Sequence, residues 1–174
     1  MKKIKIGVIG AGAISKFHLE VAKAIEWIEI IAITSRTLSK AEELAKEFNI
    51  PHVSESLESL VSDHHPDGLM VLVSVNQMYN VARQAMEFGI PVISAMQSNR
   101  GGINSSDLEL TDAADSIGQT FKADAVFGMT QTDEQKKAGL YSLSLLKSRF
   151  GKNRIKKYIG VDYDKMRVHD VENP

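Results

Sequence analysis

The 174-residue chain contains no cysteine, which excludes a disulfide framework, a thiolate metal site and a cysteine nucleophile. It has almost no excess of charge: 21 Lys and Arg stand against 22 Asp and Glu, for a net charge of −1. No global field therefore draws it to nucleic acid or to an acidic membrane surface. Aromatic residues make up only 6%, so few side chains could stack on bases. No apolar run approaches the ~20 residues needed to span a bilayer. A G-x-S-x-G nucleophile elbow and an i,i+4 histidine pair are both missing. The chain enters a strand at once, so no secretory leader is expected, and a soluble cytoplasmic protein fits these absences. What is present is ordinary for a globular domain: 43% hydrophobic and 25% charged residues, in a chain long enough to bury a core.

Residues 1–93 alternate between two periods. Ile4–Ile9, Ile28–Ile33, Leu69–Val73 and Val92–Ala95 are short apolar, largely β-branched runs that predict buried strands, with His52-Val53 a further short one. Ala13–Ile25, Leu38–Phe48, Ser56–Ser62 and Gln77–Phe88 predict helices. In the first, Ile14, Phe17, Val21 and Ala24 form the expected core stripe, and Ser56 is the expected N-cap of the third. Strand–helix alternation of this kind predicts right-handed crossovers and a parallel sheet.

The first strand runs into Gly10-Ala11-Gly12, with a helix starting at about Ala13. Gly10 suits a tight turn, Gly12 lets a pyrophosphate approach the backbone, and the N–H groups of Ala13 and Ile14 then face the anion. Ser15, also small, stands where the full fingerprint has a third glycine. The glycine pair alone also fits a βα turn that binds nothing; its place at the end of the first strand favours a nucleotide. The second strand ends in Ser35-Arg36, where an NAD-selective domain usually has a carboxylate for the ribose 2′-hydroxyl. A hydroxyl and a guanidinium suit a 2′-phosphate. The expectation is NADP(H) in preference to NAD(H), with a solvated arginine as the alternative.

The run Ile6-Gly7-Val8-Ile9-Gly10-Ala11-Gly12-Ala13-Ile14-Ser15 with His18, together with Ala32–Arg36, Asp67–Asn76 and Ala85–Val92, resembles the N-terminal domain of the glucose–fructose oxidoreductase/inositol dehydrogenase family (Gfo/Idh/MocA). That resemblance implies NAD(P) binding and oxidation or reduction of sugar-like substrates. It places Ser74, and Asn76 in the loop after the fourth strand, beside Gly10, Gly12, Ala13, Ile14, Ser35 and Arg36 as cofactor-binding residues. In the family the strand after Gly-Ile-Pro ends in Glu-Lys-Pro, whose lysine lies near nicotinamide and substrate. Here the sequence is Val92-Ile93-Ser94-Ala95-Met96-Gln97, without that lysine or proline, and residues 94–174 do not read as the family's substrate domain.

Those later residues are strand-rich. A polar loop is expected over Gln97–Asp107, a helix over Leu108–Ile117, a strand over Ala123–Met129 and a short charged helix from Asp133 to Ala138. Tyr158–Tyr163 and Met166–Val171 flank Asp164-Lys165 as a hairpin. Ile93–Arg100, Asp112–Gln119, Ala123–Gly128, Leu145–Gly151 and Gly160–Val168 resemble the C-terminal half of a RecA-like ATPase core of DnaB-type helicases. The resemblance implies that Gln97 senses a γ-phosphate and that Lys147 and Arg149 reach a neighbouring subunit's nucleotide. The phosphate-binding G-x-x-x-x-G-K-[ST] loop and an acidic strand end are missing, so no ATP binding is expected.

The sequence as a whole is therefore expected to be an α/β chimera forming one hybrid domain, residues 1–174. Its single doubly wound, mainly parallel sheet would carry helices on both faces. A Rossmann-like half (1–93) would join a RecA-like, P-loop NTPase-type half (94–174) ending in a β-hairpin. The expected function is a recombined or engineered scaffold without evolved catalysis that retains NADP(H) binding. The alternatives are a truncated NADP-dependent oxidoreductase of the Gfo/Idh/MocA type and a nucleic-acid-binding helicase-like fragment. No metal site, membrane contact or obligatory partner is expected, and the oligomeric state stays open. Asp63, His64, His65 and Asp67 read as a solvated loop rather than a metal site. His18 reads as a surface or half-buried residue, and Lys136-Lys137 and Lys152–Lys157 read as solvated clusters.

Overall fold

The computed structural model describes residues 2–95, 123–151, 155–163 and 167–171. The expected loop at Gln97–Asp107, the helix at Leu108–Ile117, Gln97 itself, Lys152–Arg154 and the Asp164-Lys165 turn lie outside the described residues. The chain divides into two compact units, Met1–Ala95 and Met96–Pro174.

In the first unit the predicted elements form as β1 (Ile4–Ile9), α1 (Ala13–Lys23), β2 (Ile28–Thr34), α2 (Leu38–Phe48), β3 (His52–Ser54), α3 (Leu57–His64), β4 (Gly68–Val71), α4 (Val75–Glu87) and β5 (Val92–Ser94). The sheet order is β3-β2-β1-β4-β5, and every pairing is parallel. β1 is central because its last four residues are buried on both faces, as a parallel strand between helix layers must be. Ile6 and Val8 pack with Leu19, Ile33, Ala41, Ala45 and Ile50 beneath α1 and α2. Ile9, Ile31, Leu69 and Val71 pack with Leu57, Leu60, Met78 and Ala85 of α3 and α4 on the other face.

The face that α1 buries is not the expected one. Ser15, Leu19 and Ala22 are the buried residues, while Ile14, Phe17 and Val21 are each more than half exposed. Both sets recur at helical spacing, so periodicity alone could not choose between them. Leu19 carries the packing of α1 into the core with Ile33 of β2 and Ala41 of α2, and Lys16 forms an exposed ion pair with Glu47 of α2. At 100° per residue, the 14/17/21 stripe lies on the far side of the helix from that pair.

The second unit corrects the expectation of one joined parallel sheet. β6 (Ala125–Thr130), α5 (Asp133–Lys137), β7 (Leu140–Ser148), β8 (Ile155–Asp162) and β9 (Arg167–Asp170) form a separate four-stranded sheet. Its order is β6-β7-β8-β9, and all of its pairs are antiparallel. The connections explain this: antiparallel neighbours need only a few residues between them, whereas a parallel pair needs a crossover of a dozen or more. α5 is one turn, capped reciprocally by Thr132 and Gln135. Gln135 also donates through Nε2 to the buried Ser142 hydroxyl at 2.8 Å. β8 and β9 pair as the hairpin pattern predicts. A Cβ on Gly160 would run into the imidazole of His169, its cross-strand partner, so the ring covers the position a side chain would take.

Candidate functional site

The carboxyl ends of β1, β2 and β4 meet at one edge of the first sheet. Gly10 N–H donates to the Thr34 carbonyl and Leu72 N–H to the Ile9 carbonyl, each at 2.8 Å. The two bonds tie the glycine turn to the ends of both neighbouring strands. Gly10 has φ +113°, and a Cβ there would collide with the Leu72 carbonyl. Only glycine meets both conditions.

Gly12 differs. As the N-cap of α1 it has φ −83° and ψ 177°, an extended conformation open to any residue. A Cβ at Gly12 would meet no atom within 4 Å. The α1 N-terminus has no side-chain cap and no acidic residue in its first turn. Its leading N–H groups, on the exposed Ala13 and Ile14, are those that an anion satisfies. Ser15, in the third-glycine position, is fully buried, and its Oγ has no hydrogen-bond partner among the described residues. A small side chain is what that contact admits.

Ser35 and Arg36 follow β2 at the same edge. Thr37, the N-cap of α2, gives no side-chain cap, and the first turn of α2 also lacks an acid. A cavity of about 390 Å³ opens here. It is lined by Thr34, Ser35, Arg36 and Leu38, by Glu55, Ser56 and Leu57 between β3 and α3, by Val81 and Gln84 of α4, and by Ile9. Glu55, Ser56, Leu57, Val81 and Gln84 had not been singled out as site residues. They reach the cavity through the β2–β3 register and the placement of α4, and neither leaves a local motif. The register pairs Thr34 with Ser54, so Ser35 and Glu55 leave their strands side by side.

Ser74 is the N-cap of α4, again without a side-chain cap hydrogen bond. Asn76 lies in the first turn of α4 rather than in a loop, because the helix starts at Val75. Both are exposed. Gly10, Gly12, Ser74 and Asn76 thus share the carboxyl edge with Ser35 and Arg36 but do not line the cavity.

The other candidates sit elsewhere. The His64 ring stacks on that of His52, with centroids 4.2 Å apart and planes at 11°. Asp63 accepts from the Ser62 hydroxyl and Asp67 from the Lys5 N–H. His18 is half-buried on α1. Arg149 pairs with Asp124 at 2.7 Å, and Lys136 and Lys137 form the last turn of α5. Among the described residues no helix is long and apolar enough to cross a membrane.

A parallel 3-2-1-4-5 sheet with a glycine turn leaving its central strand, and an anion-ready helix after it, defines the dinucleotide-binding α/β class. Within that class the chain belongs to the Gfo/Idh/MocA oxidoreductase family, NAD-binding Rossmann fold, whose model matches residues 4–94. It is 31% identical over 83 residues to 4-carboxy-2-hydroxymuconate-6-semialdehyde dehydrogenase of Sphingobium sp. (strain NBRC 103272 / SYK-6), a match covering 48% of this chain and 25% of that protein. Among solved structures it is similar to GenD2 from gentamicin A biosynthesis, in complex with NAD (20% identity, 54% of this chain, 27% of that one, TM-score 0.51). It is also similar to KijD10, a 3-ketoreductase from Actinomadura kijaniata in complex with NADP and TDP-benzene (23% identity, 53% and 29%, TM-score 0.50). The chain spans about a quarter of the length of the curated relative.

These matches overturn the expectation of a chain that is not an enzyme. The matching family is one of oxidoreductases and the curated relative is a dehydrogenase. The lysine and proline of the Glu-Lys-Pro motif are absent here, but the family match runs across the whole cofactor domain, residues 4–94. The first unit is an NAD(P)-binding Rossmann domain of that family.

Proposed function

We propose that the chain supplies the cofactor-binding part of an NAD(P)-dependent oxidoreductase that exchanges hydride between the nicotinamide and a hydroxyl- or carbonyl-bearing carbon. The observation that carries this reading is Gly12. Neither its backbone conformation nor its protein neighbours require glycine, yet it stands at an uncapped helix N-terminus. A ligand that needs the backbone bare accounts for that choice. The residues present fit a dinucleotide. The N–H groups of Ala13 and Ile14 would take the pyrophosphate, the cavity by Ser35 and Arg36 would take the adenosine end, and Ser74 and Asn76, at the N-terminus of α4, would meet the nicotinamide half. The bound cofactor supplies the hydride chemistry; the chain's own residues bind and orient it.

Within this reading NADP(H) is preferred. Arg36 has no hydrogen-bond or ion-pair partner among the described residues. A 2′-phosphate beside it would also lie near the uncapped N-terminus of α2, whose first turn has no carboxylate. Anions gain there from both the free N–H groups and the helix dipole. Titration of the full chain with NADPH and NADH, followed by nicotinamide fluorescence, tests this. Arg36→Ala should weaken NADPH binding roughly tenfold, the loss of one charge-assisted contact, and leave NADH nearly unchanged. Equal losses for both would remove the 2′-phosphate assignment.

A further inference from the structure

We infer that Glu55 is a specificity-determining residue of the adenosine cavity, and that it opposes Arg36, narrowing the preference for NADP(H) so that NAD(H) is also accepted. This deepens the proposed cofactor reading and rests on it.

The cavity brings together one guanidinium and one carboxylate, Arg36 and Glu55. Their origins differ: Arg36 follows β2, whereas Glu55 leaves β3. The Thr34–Ser54 register sets the two exits next to each other, with neighbouring strands about 4.8 Å apart. Yet the two do not form an ion pair, and Glu55 has no hydrogen-bond partner among the described residues. Neither charge is therefore neutralised by a partner among the described residues, and both residues line the same cavity.

Their chemistry divides the possible occupants. A carboxylate accepts hydrogen bonds only, two oxygens matching a vicinal diol such as the ribose 2′- and 3′-hydroxyls. It repels a phosphate at the same position. A guanidinium donates only, and matches the phosphate. A site built for NADP alone would have no reason to hold Glu55, and one built for NAD alone would have none to hold Arg36. Selectivity is the difference between two affinities: the guanidinium raises the affinity for the phosphate-bearing ribose, while the carboxylate lowers it and favours the free diol. The apolar wall of Leu38, Leu57 and Val81 and the amide of Gln84 suit a purine, whichever ribose follows.

The test is the NADPH-to-NADH affinity ratio of the full chain and of Glu55→Gln, each measured by fluorescence titration at fixed ionic strength. Glu55 is exposed and unpaired, so the variant should keep the wild-type circular dichroism and melting temperature. Wild type should bind NADPH more tightly than NADH, but by no more than about tenfold. Glu55→Gln should shift the ratio toward NADPH by roughly tenfold, the scale of removing one like charge from a partly desolvated contact. Glu55→Asp should shift it by less. A ratio that stays within twofold in Glu55→Gln overturns the inference while leaving the cofactor reading intact. Wild type that binds neither nucleotide overturns both.

Discussion

Two glycines two positions apart, Gly10 and Gly12, meet different demands. Gly10 is required by the fold: its positive φ and the Leu72 carbonyl behind it exclude a side chain. Gly10→Ala should destabilise the first unit by at least about 1–3 kcal/mol, the range for a non-glycine residue held in such a conformation, with the clash added. Urea denaturation followed by circular dichroism would measure it. Gly12→Ser should leave stability unchanged or slightly raised, because serine is at least as good an N-cap as glycine. The glycine turn was legible in the sequence because it is local, a motif set at the end of a β-branched strand. Glu55 was not, since it enters the cavity through the pairing of β2 with β3, a contact with no signature in the flanking residues. Asn76 was assigned to a loop for a simpler reason: α4 begins at Val75, two residues before its apolar pattern becomes clear.

At the scale of elements, strands and helices in the first unit follow hydrophobic periodicity closely, and the exceptions lie in which face is turned inward. α1 carries two stripes of helical period, and the more apolar one, Ile14-Phe17-Val21, faces out. Composition favoured it; the small residues Ser15 and Ala22 are buried on the side of α1 that packs on β2. α3 is set by its ends. Ser56 Oγ accepts from the Ser59 N–H at 3.1 Å, and Ser59 Oγ in turn accepts from the Ser56 N–H at 3.2 Å. Ser56→Ala should therefore lower stability by about 1 kcal/mol, read as a shift in the urea midpoint at constant slope. In the second unit, burial and then its contact with Tyr163 hold the Tyr141 hydroxyl above its ordinary pKa of 10.0. The folded state thus keeps that proton more tightly than the unfolded chain. Its contribution to stability is complete below about pH 10 and is lost as pH rises through the folded-state value. Denaturation at pH 8, 9.5 and 11 should show stability falling only in the last interval, and Tyr141→Phe should reduce that fall.

At the scale of the whole chain, alternating periods revealed the parallel sheet of the first unit, but not where it stops: the sheet was expected to run on into residues 94–174, and it ends at β5. The architecture of the second unit was harder to read. A short apolar run predicts a strand but not its partner, so the same pattern fitted both a continued parallel sheet and the antiparallel one that forms. Family membership gives the first unit a ligand class, and a ligand that binds only the folded state must stabilise it. NADPH at 100 times its dissociation constant should add about 2.7 kcal/mol, raising the melting temperature by several degrees. The most direct measurement is a calorimetric titration of NADPH into the wild-type chain and into Gly12→Ser. The account predicts saturable one-to-one binding by wild type, and at least a tenfold loss in a variant that melts no lower. A Gly12→Ser chain that binds NADPH as tightly as wild type would contradict it.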